Sequence, residues 1–245
     1  MIPYRHIKKF NIRYCDVDFK DELKPSTILN YLEEAACCSA DELGFGYTYV
    51  KAKGYAFMVT SIRIEFLRPI TLFDECSIHT WPLPPTYVIF DREYEGYAGE
   101  EKVFTASSRW CLIDVKSGKI AQSKVIDNQD YSTYNTTHLL EKPHRKIQSF
   151  LLEEGDLKFT TKIYNSEYDH NMHVNNTRYA DYCFNCFSVA ELTEYKLKSF
   201  SIAFVKQCKE GDNLKFYRKR LDDCWLVQGI NENGEIVTQA EIAFV

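Results

Sequence analysis

Two stretches of this chain space their apolar residues at a helical period, and after each the period drops to two. In the first, Ile28, Leu29, Leu32, Ala35 and Ala36 share one helical face behind Pro25-Ser26-Thr27, where proline suits a first turn and a hydroxyl can cap it. The pattern stops at Leu43-Gly44, and glycine is a natural terminator. The second predicted helix runs from about Asn175 to Leu192, with Tyr179, Tyr182, Cys183, Cys186, Phe187 and Ala190 on its buried side. Beyond the first helix, Ile62, Ile64 and Phe66 alternate with Arg63 and Glu65. Ile78, Thr80, Val88-Ile89-Phe90 and Trp110-Cys111-Leu112-Ile113 continue the strand signal. Antiparallel sheet around one helix is the simplest assembly, and the fold class is α+β.

The pattern is duplicated. A shift of 169 − 18 = 151 sets Asp18 over Asp169, Leu23 over Val174, Ile28 over Tyr179 and Tyr31 over Tyr182. Further on, Ile64-Glu-Phe66-Leu67-Arg68 matches Ile202-Ala-Phe204-Val205-Lys206, and an acid follows ten residues after the start of each (74 − 64 = 10; 212 − 202 = 10). Val103-Phe-Thr105-Ala-Ser matches Ile236-Val-Thr238-Gln-Ala. Three blocks in one order imply two copies of one unit. Ser117-Gly118 reads as a hairpin turn, and the polar stretch Asp127 to Lys142 as the connection between copies. Expected bounds are 1–145 and 146–245.

Charge and composition narrow the function. A net charge of −5 and a pI near 5.7 exclude a general nucleic-acid binder, which needs a basic face for phosphates. The start, Met1 to Lys9, lacks a signal peptide's apolar core, and no apolar run nears the roughly 20 residues that span a bilayer. No membrane association and a cytoplasmic location are therefore expected. The nine cysteines are expected to be reduced thiols, mostly buried. Cys183 and Cys186 stand three apart without a second ligand pair, so no metal site is expected.

The densest chemistry is Asp169-His-Asn171-Met-His173-Val-Asn175-Asn176-Thr-Arg-Tyr179, just ahead of the second helix. In an extended segment, Asp169, Asn171 and His173 would project to one side and converge on one substrate. Taken singly, an Asp or Asn here more often caps a helix, and Asn175 is itself a cap candidate. As a set they supply a general base in His173 or Asp169, and an amide in Asn171 able to hold a water or a carbonyl. N–H groups at the helix start, Val174 to Asn176, could form an oxyanion hole. In the first copy, Lys20 stands at the position of Asn171 and Glu22 at that of His173, so only the acid is retained.

This stretch closely resembles the D-x-N-x-H-V-N-N-x-x-Y signature of acyl-[acyl-carrier-protein] thioesterases, plant and bacterial enzymes that release free fatty acids from a carrier. The resemblance extends from about Tyr14 to the C-terminus. It implies two tandem hotdog units, a double-hotdog, with the first unit shaping the acyl cavity and the second carrying the catalytic motif. It also implies an acyl carrier protein as partner, no cofactor, and hydrolysis by water. The carrier is acidic, so Arg178 and Lys206 are docking candidates. Relatives typically carry Glu after the strand Ile202–Lys206, often followed by Cys; here the pair is Gln207-Cys208. Gln207 can hold a water but cannot take its proton. Cys208 with His173 is a second nucleophilic option, set against a buried packing thiol. An acyl-CoA thioesterase, a non-catalytic acyl-binding protein and a hotdog dehydratase stay open as alternatives, as do monomer and homodimer.

Overall fold

The structure is a computed structural model, and it describes residues 4–245. Of the stretch read for a leader sequence, Met1 to Pro3 lie outside the described residues. The chain folds as two compact units, the first ending at His144 and the second made of Arg145–Val245 together with the short stretch Lys24–Thr27.

In the first unit, strand β1 (His6–Phe10) leads to helix α1 (Pro25–Glu42) and the short α2 (Tyr47–Ala52). Strands β2 (Tyr55–Phe66), β3 (Cys76–Pro82), β4 (Phe90–Ala98), β5 (Glu101–Asp114) and β6 (Ile120–Ala121) follow. Sheet order is β1-β3-β4-β5-β2, with β6 paired to β5 and each of these pairs antiparallel. Helix α1 buries Ile28, Leu29, Leu32, Ala35 and Ala36, as its spacing predicts. Phe10 stacks on Tyr31 at 4.1 Å between ring centres, tying the edge strand to the helix. The turn at Ser117-Gly118 forms, with Gly118 at φ 67° and its N–H on Asp114 O. Val88 and Ile89 depart from the predicted strand. Thr86 and Ile89 exchange backbone bonds of 3.0 and 2.8 Å, so the chain reverses before β4 begins.

The second unit runs β7 (Leu157–Lys162), α3 (Asn176–Phe184), α4 (Val189–Glu194), β8 (Leu197–Phe204), β9 (Asn213–Leu221), β10 (Cys224–Asn231) and β11 (Ile236–Phe244). Its order, β7-β9-β10-β11-β8, is that of the first unit strand for strand. The single helix expected over 175–192 is broken in two. Ser188 Oγ accepts the Glu191 N–H while the Glu191 carboxylate accepts the Ser188 N–H and hydroxyl, a capping box that starts a new helix. Phe187 is buried at the break, 5.8 Å from Trp225 and 5.3 Å from Phe244, with the Arg218 guanidinium 4.5 Å over its ring. The signal was present as Ser188-x-x-Glu191. The break also turns Ala190 outward, whereas Tyr179, Tyr182, Cys183, Cys186 and Phe187 are buried as predicted.

Five of the nine cysteines are buried, and no disulfide joins any two. Burial pushes the Cys183 thiol well up and Cys186 to about 12, the behaviour of packing thiols. Among the described residues no helix is long and apolar enough to cross a membrane.

The predicted connection carries little regular structure but is not loose. Trp81 Nε1 donates to Thr137 O at 3.1 Å, and the Leu139 N–H to Glu93 Oε2 at 3.3 Å. His144 bridges Ser61 Oγ at 2.9 Å and Ser107 Oγ at 3.1 Å. Glu93, Ser107, Leu139 and His144, with Asp91 and Arg109, line an open cavity of about 550 Å³. Burial pushes the Glu93 carboxyl from its ordinary 4.5 up to about 7, with neighbouring Asp91 adding to the rise. Burial draws His144 down to about 4. Glu93 is protonated in both states at low pH, whereas ionisation at higher pH carries its full burial cost only in the folded state. Stability should therefore fall as pH rises from about 4.5 through 7, by on the order of 3 kcal/mol more in the wild type than in Glu93→Gln. Urea unfolding of both proteins at pH 5 and pH 8 checks this, and parallel curves would disprove it.

Candidate functional site

The motif residues form a tight turn, not the extended segment expected. Tyr168 and Val174 bridge, and the Asp169 N–H donates to His173 O at 2.8 Å. The Asp169 carboxylate folds back so that Oδ1 accepts the N–H of Asn171 at 2.8 Å and of His173 at 3.2 Å. Met172 takes φ 61°, a left-handed conformation that lets the chain reverse. Asp169, Asn171 and His173 are thus gathered in one loop, but by the carboxylate bonding the backbone. The side chains of Asn171 and His173 are left exposed.

The first unit repeats this turn bond for bond. The Asp18 N–H donates to Glu22 O at 2.8 Å, and Asp18 Oδ1 accepts the N–H of Lys20 at 2.8 Å and of Glu22 at 3.2 Å. Asp21 sits at φ 58°. Lys20 and Glu22 pair with each other at 2.9 Å, at the positions of Asn171 and His173.

Behind each turn lies a feature the sequence reading missed. Asp16 accepts the Tyr31 hydroxyl at 3.0 Å and the Arg13 N–H at 2.9 Å. Glu167 accepts the Tyr182 hydroxyl and the Tyr164 N–H. The same 151-residue shift that set Tyr31 over Tyr182 also sets Asp16 over Glu167 (167 − 16 = 151), so the signal was there to be read. The Arg13 guanidinium holds the Asp16 carboxyl down at about 2. Burial, then the bond to Glu167, raises the Tyr182 hydroxyl.

Of the three helix-start amides, Asn175 is not free: its N–H donates to Glu167 O at 2.8 Å. Its side chain is the cap, with Oδ1 accepting the Thr177 N–H at 2.9 Å and the Thr177 hydroxyl at 2.8 Å. The Val174 and Asn176 N–H groups have no hydrogen-bond acceptor among the described residues.

Gln207 is exposed, and its Nε2 lies 3.5 Å from Val174 O. Cys208 is buried, its thiol is pushed up by that burial, and its N–H donates to the Tyr179 hydroxyl at 3.3 Å. No hydrogen bond joins Cys208 to His173 among the described residues. Arg178 pairs with Asp181 at 3.6 Å and Lys206 with Glu235. Among the described residues no grouping of three or more His, Cys, Asp and Glu stands ready to hold a metal. The 550 Å³ cavity contains none of the predicted site residues.

A two-unit antiparallel fold of this kind recurs in solved acyl-ACP thioesterases. The structure from Bacteroides thetaiotaomicron superposes with a TM-score of 0.87 at 21% identity, covering 98% of each chain. The 12:0-ACP thioesterase of Umbellularia californica superposes with a TM-score of 0.85 at 15% identity, covering 98% of this chain and 97% of that one. These likenesses establish the double-hotdog fold. A putative acyl-CoA thioesterase of Bacillus subtilis, YneP, is 28% identical over 120 residues, 47% of this chain and 84% of that protein. The family match over most of the chain defines the class, that of thioester hydrolases. Residues 3–128 match the acyl-ACP thioesterase N-terminal domain and residues 153–245 the C-terminal domain, and the chain belongs to the acyl-ACP thioesterase family.

The duplicated turn separates structure from chemistry. Asp18→Ala and Asp169→Ala each remove one acceptor of two backbone N–H groups and should each lower stability by about 1 kcal/mol. Only Asp169→Ala should also depress thioester hydrolysis. Urea unfolding alongside a fatty-acid release assay tests this, and equal activity losses would refute it.

Proposed function

We propose that the chain hydrolyses fatty acyl-acyl carrier protein with water at the loop Asp169–Asn176, and that His173 is the general base. What supports this most is the pairing of the two turns. Because Asp18 makes every bond that Asp169 makes, that carboxylate is accounted for by the loop. What distinguishes the second unit is Asn171 and His173 where the first has a Lys20–Glu22 ion pair.

A thioester needs a positioned water, a group to take its proton, and donors for the oxyanion. His173 takes the proton. Asn171 and Gln207 hold the water or the carbonyl through their amides, since Gln207 cannot serve as a base. The Val174 and Asn176 N–H groups, at the positive end of α3 and without an acceptor among the described residues, receive the developing charge. Cys208 packs: it occupies the position of Ile70 in the first unit (208 − 70 = 138, as 202 − 64 = 138), and both are buried. The chain acts in the cytoplasm, a reading supported by nine cysteines of which none is in a disulfide. Acyl-CoA, named for YneP, is the competing carrier.

Release of free fatty acid should be faster from acyl carrier protein than from CoA thioesters. His173→Ala should lower kcat by about 10²- to 10⁴-fold, the usual contribution of a general base. Retention of kcat within twofold would sink the assignment of His173, and a preference for CoA would reassign the carrier.

A further inference from the structure

The strongest unassigned feature is a seam that is closed in the first unit and open in the second. After β2, the segment Pro69–Leu72 is stitched to the turn at Asp18. The Leu23 N–H donates to Ile70 O at 2.7 Å, the Leu72 N–H to Asp21 O at 2.9 Å, and Glu22 bridges Thr71.

The corresponding segment after β8 is Gln207–Glu210 (207 − 69 = 138; 210 − 72 = 138). The register holds in detail, because the Thr71 N–H donates to Asp74 Oδ2 at 2.8 Å and the Lys209 N–H to Asp212 Oδ2 at 2.9 Å. Yet among the described residues no backbone bond joins this segment to the turn at Asp169. Side chains stand in its place: Gln207 Nε2 reaches Val174 O at 3.5 Å, and two tyrosine hydroxyls take N–H groups of the segment. The Glu210 N–H donates to the Tyr168 hydroxyl at 2.7 Å, and the Cys208 N–H to the Tyr179 hydroxyl at 3.3 Å. The matching residues of the first unit are Val17 and Ile28, which have no hydroxyl (168 − 17 = 151; 179 − 28 = 151).

We propose that Tyr168 and Tyr179 are positioning residues that hold the Gln207–Glu210 segment off the motif turn, keeping Gln207 and the Val174 N–H available to the reacting thioester. The unspent donor follows directly. Leu23 spends its N–H on Ile70 O, whereas Val174, its counterpart, has no acceptor among the described residues because the seam is not formed. A tyrosine is long enough to take the segment's N–H groups while leaving the turn's own donor open, whereas beside the aliphatic Val17 and Ile28 the Leu72 N–H goes to the turn and the turn's Leu23 N–H is spent on Ile70 O. The proposal rests on the site reading given above.

The test combines turnover with hydrogen exchange in Tyr168→Phe, Tyr179→Phe and the double variant, and uses Tyr31→Phe as a control for lost tyrosine bonding outside the site. Each site variant should lose about ten- to a hundredfold in kcat for acyl carrier protein substrate, with KM within twofold, as slight misplacement of reacting groups does. Exchange across residues 205–212 should quicken in the double variant. Tyr31→Phe should lose stability and keep kcat. Unchanged exchange in the double variant overturns the proposal, as does a kcat loss no larger than that of Tyr31→Phe. Should His173→Ala match the wild type in turnover, the site reading fails by itself, and the exchange result still decides whether the tyrosines hold the segment.

Discussion

One carboxylate oxygen accepting two backbone N–H groups sets the local structure on which the site depends. Between a short 3-10 turn and a helix, each unit must reverse direction at its surface, where exposed amides would otherwise be left to water. Asp18 and Asp169 solve that in the same way, with a left-handed residue three positions on. Once the backbone is fixed by the aspartate, the intervening side chains are free of structural duty. Lys20 and Glu22 use that freedom to neutralise each other, and Asn171 and His173 to face solvent.

The second shared device is an acid behind the turn that receives a tyrosine from the helix, Asp16 with Tyr31 and Glu167 with Tyr182. It fixes the helix against the chain that leads into it, and in the second unit the backbone oxygen of Glu167 also takes the Asn175 N–H. The start of α3 is thereby held from both sides, by Glu167 and by the Asn175 cap. Cys183, Cys186 and Cys208 are all buried with their thiols pushed up, which disfavours the thiolate a nucleophile requires.

Much of this was legible in the sequence because it is periodic. The apolar spacing of Ile28 to Ala36 and the alternation of Ile62 to Phe66 gave α1 and β2, and the internal match gave two units. What failed was local chemistry competing with the periodic signal. The apolar pattern over 175–192 continues through a capping box at Ser188-x-x-Glu191, so one helix was read where there are two. The alternation of Asp169, Asn171 and His173 suggested an extended strand, whereas an Asp two residues ahead of a backbone N–H prefers to fold onto it. The role of Tyr168 was not legible at all, because its partner is a backbone N–H 42 residues away.

Strand order carries a last consequence. β7 pairs with β9 and not with β8, its sequence neighbour among the strands, so the motif turn, both helices and β8 all lie inside the ring of chain that this pairing closes. Closing a ring costs chain entropy that is recovered only when the two strands zip. The turn at His173 therefore lies in a ring that is complete only when Leu157–Lys162 has paired with β9, and that pairing lends the ring rigidity. Fraying at Leu157–Lys162 would loosen the site without altering a single residue in it.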